Sequence, residues 1–331
     1  MAVLIALSPT MRKAPAPAAA SSSHKPADPL RGRKLPLLVL SFTAFCFAGY
    51  STYLYVSYKQ AVASGVGADA AEDVSSRYNT IAAKFDSSVD SMESFMGLNK
   101  MRMKMAQQAT GDVCEVSIGT GRNLAYYDWD FKGYNGVGKI GSDKKIKRGK
   151  VKSFTAVDKS AEMLEVAHEK FSKEYPGILG VRWVIQDASK PLPGPPVSAN
   201  ETSGSKESKK YDTIVQTMGL CSTPDPVGLL KNLGESVEEG GRILLLEHGK
   251  GTWNWVNKIL DGLAPRHAAE FGCWWNKDIG KIVEESGLEV IKLERKALHA
   301  GTTWWIELTP RKTTNTTQTS DAGNRPEPSG K

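Results

Sequence analysis

The run Asp112-Val-Cys-Glu-Val-Ser-Ile118 constrains the fold most, because it is apolar enough for one buried strand and passes directly into Gly119-Thr-Gly121-Arg-Asn-Leu124. A strand, a glycine turn and a helical stretch together open a doubly wound α/β unit. Glycine suits the turn because the backbone must reverse sharply and approach a ligand with no side chain in the way. The dinucleotide pattern Gly-x-Gly-x-x-Gly is excluded by Leu124, and no Gly-Lys-Ser/Thr follows as in a phosphate loop. Ahead of the strand, Val74, Tyr78, Ile81, Phe85, Val89, Met92 and Phe95 recur at three- and four-residue steps, predicting helix over 71–109 that ends at Gly111.

The strands that follow repeat one theme. Phe154-Thr-Ala-Val-Asp158 predicts a second strand ending in an acid and opening a helix, where a carboxylate can take both ribose hydroxyls of a bound adenosine and Met163 can lie against the base. Val181-Arg-Trp-Val-Ile-Gln-Asp187-Ala188 predicts a third strand ending the same way. Tyr211-Asp-Thr-Ile-Val-Gln216 and Gly240-Gly-Arg-Ile-Leu-Leu-Leu-Glu247-His248 predict a fourth strand with its active-site edge and a fifth strand after a glycine turn. A single such acid reads most simply as a helix cap or turn former. Three strands ending in Gly-x-Gly, Asp and Asp-Ala in this order point instead to one nucleoside-type site.

Glu115-Val-Ser-Ile-Gly119-Thr-Gly121 resembles the first motif of class I S-adenosylmethionine-dependent methyltransferases. The resemblance implies a Rossmann-like doubly wound sheet, S-adenosyl-L-methionine as cofactor, and a donor site drawn from Tyr78, Glu115, Gly119, Gly121, Asp158, Met163, Asp187, Ala188 and Gln216. Tyr78-Asn-x-Ile-Ala-x-x-Phe85-Asp is similar to the lead-in of ubiquinone/menaquinone-type methyltransferases, whose aromatic pair closes over the donor; Asn79 and Phe85 depart from that pattern. Leu246-Glu-His248-Gly-Lys-Gly, with Trp253, Trp255, His267 and Gly272-Cys-Trp-Trp-Asn276, resembles membrane-anchored fungal mitochondrial methyltransferase-like proteins, a group that includes suppressors of membrane-insertase (Oxa) defects. Leu220-Cys221-Ser and Glu247-His248 also resemble animal membrane-associated thiol methyltransferases. The resemblance extends over about residues 75–309, within a methyltransferase domain expected at 71–309.

From Leu35 to Tyr58 no residue is charged, and tyrosines at 50, 53, 55 and 58 gather at the far end. About 20 such residues cross a bilayer, and tyrosines suit its interface. A transmembrane helix is therefore expected at 35–58. Residues 1–34 are rich in alanine, serine and proline, and carry six basic residues against Asp28 alone, the composition of a mitochondrial targeting segment. Together these place the protein in the mitochondrial inner membrane as a single-pass protein, with the endoplasmic reticulum membrane as the alternative. Arg31, Arg33 and Lys34 before the span favour a body in the intermembrane space, while presequence cleavage or a different import route reverses that orientation, so both sides stay open.

The net charge of +7 resides in the ends, +5 over residues 1–34 and +2 over 311–331, so the body at 35–310 is neutral. That argues against a general nucleic-acid binder. Within the body, 128–152 and 193–210 read as flexible insertions and 310–331 as a disordered tail. The first insertion holds eight basic residues against Asp143 between 132 and 152. A solvated loop is the simpler reading of that run; contact with anionic lipid is the functional one.

Transfer of a methyl group from a sulfonium asks the protein mainly to align the acceptor and exclude water. His248, just past a strand end, is the candidate catalytic base. Cys221 reads as a small packed thiol, and the spacing of His248, His267 and Cys273 gives no metal triad, so no metal is expected. The acceptor expected is small and lipophilic (quinone-like, lipid or thiol). The rival readings are RNA or protein methylation, and a non-catalytic methyltransferase-like scaffold in respiratory-complex assembly.

Overall fold

In the computed structural model the described residues are 34–66, 73–129, 149–175, 181–196 and 209–311. The expected targeting segment, most of the basic insertion, residues 197–208 and the tail from 312 lie outside them. The chain divides into two compact units at Ser57/Tyr58. Helix α1, Lys34–Ala63, begins where the uncharged run begins and continues five residues past its expected end. Within it, Pro36–Ala63 is long and apolar enough to cross a membrane, and large side chains such as Leu38, Phe42, Phe45 and Phe47 are exposed.

The second unit is built on a seven-stranded sheet of order β3-β2-β1-β4-β5-β7-β6. The strands are β1 Gly111–Val116, β2 Val151–Asp158, β3 Val181–Ile185, β4 Tyr211–Thr217, β5 Val237–His248, β6 Glu289–Arg295 and β7 Thr303–Thr309. The pairs among β1 to β5 are all parallel, and β7 alone runs against both of its neighbours. Helices cover the two faces: α4 Leu98–Ala106 and α5 Ala161–Glu174 on one, α6 Pro226–Ser236 and α8 Ile279–Ser286 on the other. Strand side chains alternate between them. Cys114, Val116, Ile214 and Leu245 pack with Leu230 and Leu233 of α6 and Val283 of α8. Val113, Val215, Leu244 and Leu246 pack with Met105 of α4 and Ala167 and Phe171 of α5. A sheet covered on both sides needs strands apolar throughout, which is why Ile243 to Leu246 show no polar alternation.

Three helices carry side-chain N-caps. Ser160 caps α5 by accepting the Met163 N–H at 3.2 Å, Asp225 caps α6 through the Gly228 N–H, and Asp278 caps α8 through the Lys281 N–H.

Several expectations are corrected. The single helix over 71–109 is instead α2 Arg77–Ile81, a 3₁₀ turn at Ala82–Lys84, α3 Phe85–Phe95 and α4. Gly97, at φ +70°, breaks the path between the last two, and Met92 and Phe95 of the expected apolar stripe are exposed. Directly after the glycine turn, the described residues form a 3₁₀ turn, Leu124–Tyr126. Buried Tyr127 and Trp129 follow it and pack edge-on against Phe154 at 5.0 Å each, Trp129 also against Phe171 at 5.2 Å. Trp129 and Val151 are bridged to each other, so the expected insertion at 128–152 is too wide at both ends. Likewise Pro193 accepts the Tyr211 hydroxyl at 2.6 Å and Gly194 accepts from Arg182, which ties down the start of the insertion expected at 193–210. Gly240-Gly241 lies inside β5, where the pairing with β4 shifts register, and Gly240 takes φ +80°.

The lead-in helices are held to the sheet by buried charge. Arg102 of α4 donates to Glu93 of α3 at 2.9 and 3.0 Å, and to Thr217 at the end of β4 at 2.6 Å. Arg122, just past the glycine turn, joins Glu93 at 3.0 Å and Asp86 at 3.1 Å, and Lys170 of α5 also reaches Asp86. Removing one partner of a buried pair leaves the other charge uncompensated. Glu93→Ala should therefore destabilise the domain by about 3 kcal/mol, read as a lower midpoint in guanidinium unfolding, because Arg102 then keeps only neutral partners. Gly121→Ala should cost roughly 1–3 kcal/mol in the same assay. A Cβ there would stand 2.4 Å from Leu124 Cδ1 and 3.0 Å from the Ala167 Cβ, at φ +74°.

Candidate active site

A cavity of about 660 Å³ opens beyond the C-terminal ends of β1, β2, β4 and β5, where an open α/β sheet reverses its strand order and binds ligands. The volume lies within the range of small-molecule and cofactor pockets. β1 and β4 are adjacent at the reversal, so the loops after them lie side by side. Each contains a non-glycine residue in the left-handed region, Ser117 at φ +51° and Met218 at φ +56°, and both line the cavity. Strain of this kind persists where surrounding structure imposes it, and it collects at functional sites.

One part of the wall carries the features of a nucleoside site. The Asp158 carboxylate accepts the Gly119 N–H on one oxygen at 2.8 Å and the Ser160 N–H on the other at 2.9 Å. Each oxygen retains a lone pair for a ligand hydroxyl. Burial raises the Asp158 pKa, against the lowering effect of those backbone donors. Gly119 is at φ +57°, and a Cβ there would meet nothing within 4 Å, so its missing side chain leaves open space. Met163, Asp187 and Ala188 complete this part of the lining. Asp187 accepts the Ser189 N–H at 2.9 Å, and the Ala188 carbonyl accepts from Asn232 at 2.7 Å, which fixes the loop after β3. The residues present thus fit an adenosine-bearing methyl donor. Tyr78 and Phe85 also line the cavity with ring centroids 6.0 Å apart, and the Tyr78 hydroxyl pairs with the Ser222 hydroxyl at 2.8 Å.

Three residues expected to touch the donor do not line the cavity. Glu115 is buried in β1, where it accepts from Asn123 at 2.8 Å and Tyr127 at 2.7 Å. Its alternation along the strand turns it into the core, where it braces the glycine loop from behind. Gly121 packs against Leu124 and Ala167, so its lack of a side chain serves helix packing. Gln216 is fully buried at the end of β4 and donates to the Ser117 hydroxyl at 3.2 Å, supporting the strained residue beneath the cavity wall.

Across the sheet from Asp158 lies a second group. β2 and β5 are three strand intervals apart, about 14 Å. At the end of β5, His248 Nε2 meets Cys273 Sγ at 2.7 Å, and Cys221 joins them, with all three ligating atoms within 4.8 Å of one another. Cys221 comes from the loop after β4, and Cys273 follows Gly272, the left-handed end of α7 Asn254–Phe271. The two cysteine loops are joined by the Trp274 N–H donating to the Cys221 carbonyl at 3.1 Å. His267 stacks on Trp275 at 3.9 Å between centroids and pairs through Nδ1 with the Cys273 carbonyl.

These contacts change the reading of His248. Burial opposes its charge, but neighbouring Cys221 prevails and raises its pKa. Hydrogen bonding from Cys273, followed by the influence of His248, pulls the Cys221 thiol well below its usual value, while burial holds Cys273 well above. Burial also pushes Glu247 up to about 8; its carboxylate accepts the Gly219 and Leu220 N–H groups and shapes the turn that carries Cys221. The sequence singled out Cys221, His248 and Cys273 separately. Their 25- to 27-residue spacings hid the cluster, which arises only when two strand ends and a helix end converge.

A parallel sheet with one reversed strand and a nucleoside-type cavity at its switch point defines a doubly wound transferase-like α/β domain. The chain matches the methyltransferase domain family over residues 90–293 and belongs to that family. It is 37% identical over 241 residues to the mitochondrial methyltransferase OMS1 of Saccharomyces cerevisiae, a match covering 71% of this chain. The chain spans about half the length of that curated relative, 46%. Similar solved structures include the O-methyltransferase NcsB1 from neocarzinostatin biosynthesis, with S-adenosyl-L-homocysteine and 1,4-dihydroxy-2-naphthoic acid (TM-score 0.44, 17% identity, 70% of this chain and 59% of that one). Another is magnesium protoporphyrin IX methyltransferase of Synechocystis PCC 6803 (TM-score 0.38, 15% identity, 69% and 83%). The family assignment rests on the domain match rather than on these scores.

Glu115 gives the domain a pH signature. Burial raises its pKa from 4.5 to about 7. The folded state therefore holds a proton that the unfolded state releases, and stability falls as pH rises from about 4.5 to about 7. A displacement of that size corresponds to roughly 3 kcal/mol. Glu115→Gln should flatten the thermal midpoint across this interval relative to the parent chain, measured by circular dichroism at closely spaced pH values.

Proposed function

We propose that this chain is an S-adenosylmethionine-dependent methyltransferase, anchored by one helix in a mitochondrial membrane, that methylates a small lipophilic acceptor. The observation that carries the donor assignment is Asp158, with one backbone N–H on each carboxylate oxygen, facing a cavity beside left-handed Gly119. When bound, the donor supplies an electrophilic sulfonium methyl group. Asp158 would hold its ribose hydroxyls, Asp187 and Ala188 its adenine, and Met163 would pack on the base. Tyr78 and Phe85, the aromatic pair of the lead-in, would close over it. The chain then has to hold donor and acceptor in line and keep water out.

Apolar side chains support a lipophilic acceptor. Val89, Met92, Met96, Leu260, Phe271 and Trp275 line the same cavity. The His248 corner, three strands from Asp158, would be the acceptor end. The apolar helix Pro36–Ala63 supports single-pass anchoring, and the mitochondrial name of the yeast relative supports the compartment. Inner-membrane insertion, a targeting role for residues 1–34 and anionic-lipid contact through the basic run at 132–152 belong to the same reading; most of that run lies outside the described residues.

Calorimetric titration of the detergent-solubilised full chain with S-adenosylmethionine tests the donor site. Asp158→Ala should weaken binding roughly 10- to 100-fold, because hydrogen bonds to a charged carboxylate are lost. Absence of binding by the folded parent chain would overturn the enzyme reading and favour a scaffold.

A further inference from the structure

Cys221, His248 and Cys273 bring two thiols and an imidazole together in a buried corner, with Sγ, Nε2 and Sγ within 4.8 Å of one another. All three side chains line the cavity. His248 Nε2 lies 2.7 Å from Cys273 Sγ, and Cys221 also makes long contacts of 3.5 Å to the Met218 carbonyl and the Ser222 hydroxyl. Thiolate and imidazole are the donors that suit zinc. Cys2His with one position left open is a recurring arrangement of zinc sites that act on a ligand, whereas closed structural sites use four protein donors. Around a tetrahedral zinc the donor atoms stand about 3.5 Å apart, so only modest side-chain adjustment separates the cluster from that geometry.

The backbone around the donors is already fixed. The Cys221 carbonyl accepts the Trp274 N–H, the turn before Cys221 is held on Glu247, and the Cys273 carbonyl is paired with His267. Each donor's loop is therefore anchored to residues beside another donor, as supporting contacts orient ligands in established metal sites. We propose that Cys221, His248 and Cys273 form a zinc site whose fourth position opens into the cavity. The fourth ligand is then water or a heteroatom of a molecule bound in the cavity. With the ion bound, Nε2 of His248 is a ligand and carries no proton. Ion binding itself stands apart from the methyl-transfer reading; only the identity of a fourth ligand from an acceptor rests on it.

The test uses the full chain, extracted in detergent under reducing conditions without chelator. Elemental analysis should find about one zinc per chain, falling to background in Cys221→Ser, Cys273→Ser and His248→Ala, while Cys46→Ser retains it. Should a variant fold poorly, cobalt substitution of the parent chain supplies a second reading: a thiolate-to-cobalt charge-transfer band and the visible spectrum of a tetrahedral ion. Zinc at background in the folded parent chain, a cobalt spectrum without the thiolate band, or metal content unchanged in all three site variants would overturn the proposal. A Cys221–Cys273 disulfide in the freshly purified chain would do the same. Donor titration run in parallel separates the two ideas: a metal-free chain that still binds S-adenosylmethionine sinks the zinc site alone, and a zinc-loaded chain that binds no donor sinks the methyltransferase reading alone.

Discussion

The buried contact between Arg102 and Glu93 joins parts of the molecule that are otherwise independent. Arg102 reaches from α4 to the end of β4 through Thr217, while Glu93 is shared with Arg122 of the glycine loop. Thr120 and Lys170 reach the same cluster through Asp86. An arginine this far from water must be satisfied on nearly every donor. The placement of α3 and α4 over the glycine loop does that. The roof of the cavity, including Val89 and Met92 from α3, depends on this placement. Interior charge adds little net stability by comparison with apolar packing, so its contribution here is to fix one arrangement of the lead-in segment.

Beneath that roof the sheet sets distances. Parallel strands place every β-to-α loop at one edge, and the order β2-β1-β4-β5 ranks those loops from Asp158 to His248. A donor and an acceptor can then occupy neighbouring loops of one cavity without either being folded back on itself. The strained Ser117 and Met218 sit at the middle of this row, where the β1 and β4 loops diverge. Buried Gln216 supports one of them from below.

The described start of the first crossover is packed by aromatic side chains. Tyr127 and Trp129 pack edge-on against Phe154, and Trp129 also against Phe171. Glu115 is buried beside them, with Tyr127 and Asn123 as its hydrogen-bond donors. An acid that the family resemblance assigns to the ligand thereby becomes an internal brace whose pKa burial raises to about 7.

The sequence by itself determined the α/β class, the five strands of the doubly wound unit and the acids at the ends of β2 and β3. These follow from local periodicity and from residues whose backbone or capping preferences act over a few positions. The uncharged run at 35–58 likewise determined an apolar helix. Tertiary structure decided which of these residues face the cavity: Asp158, Gly119, Met163, Asp187 and Ala188 do, while Glu115, Gly121 and Gln216 support it from behind. A strand's alternation has two phases, and nothing local says which phase meets a ligand. The meeting of Cys221, His248 and Cys273 was decided by folding as well, because two strand ends and the end of α7 converge only when the sheet and its covering helices have packed.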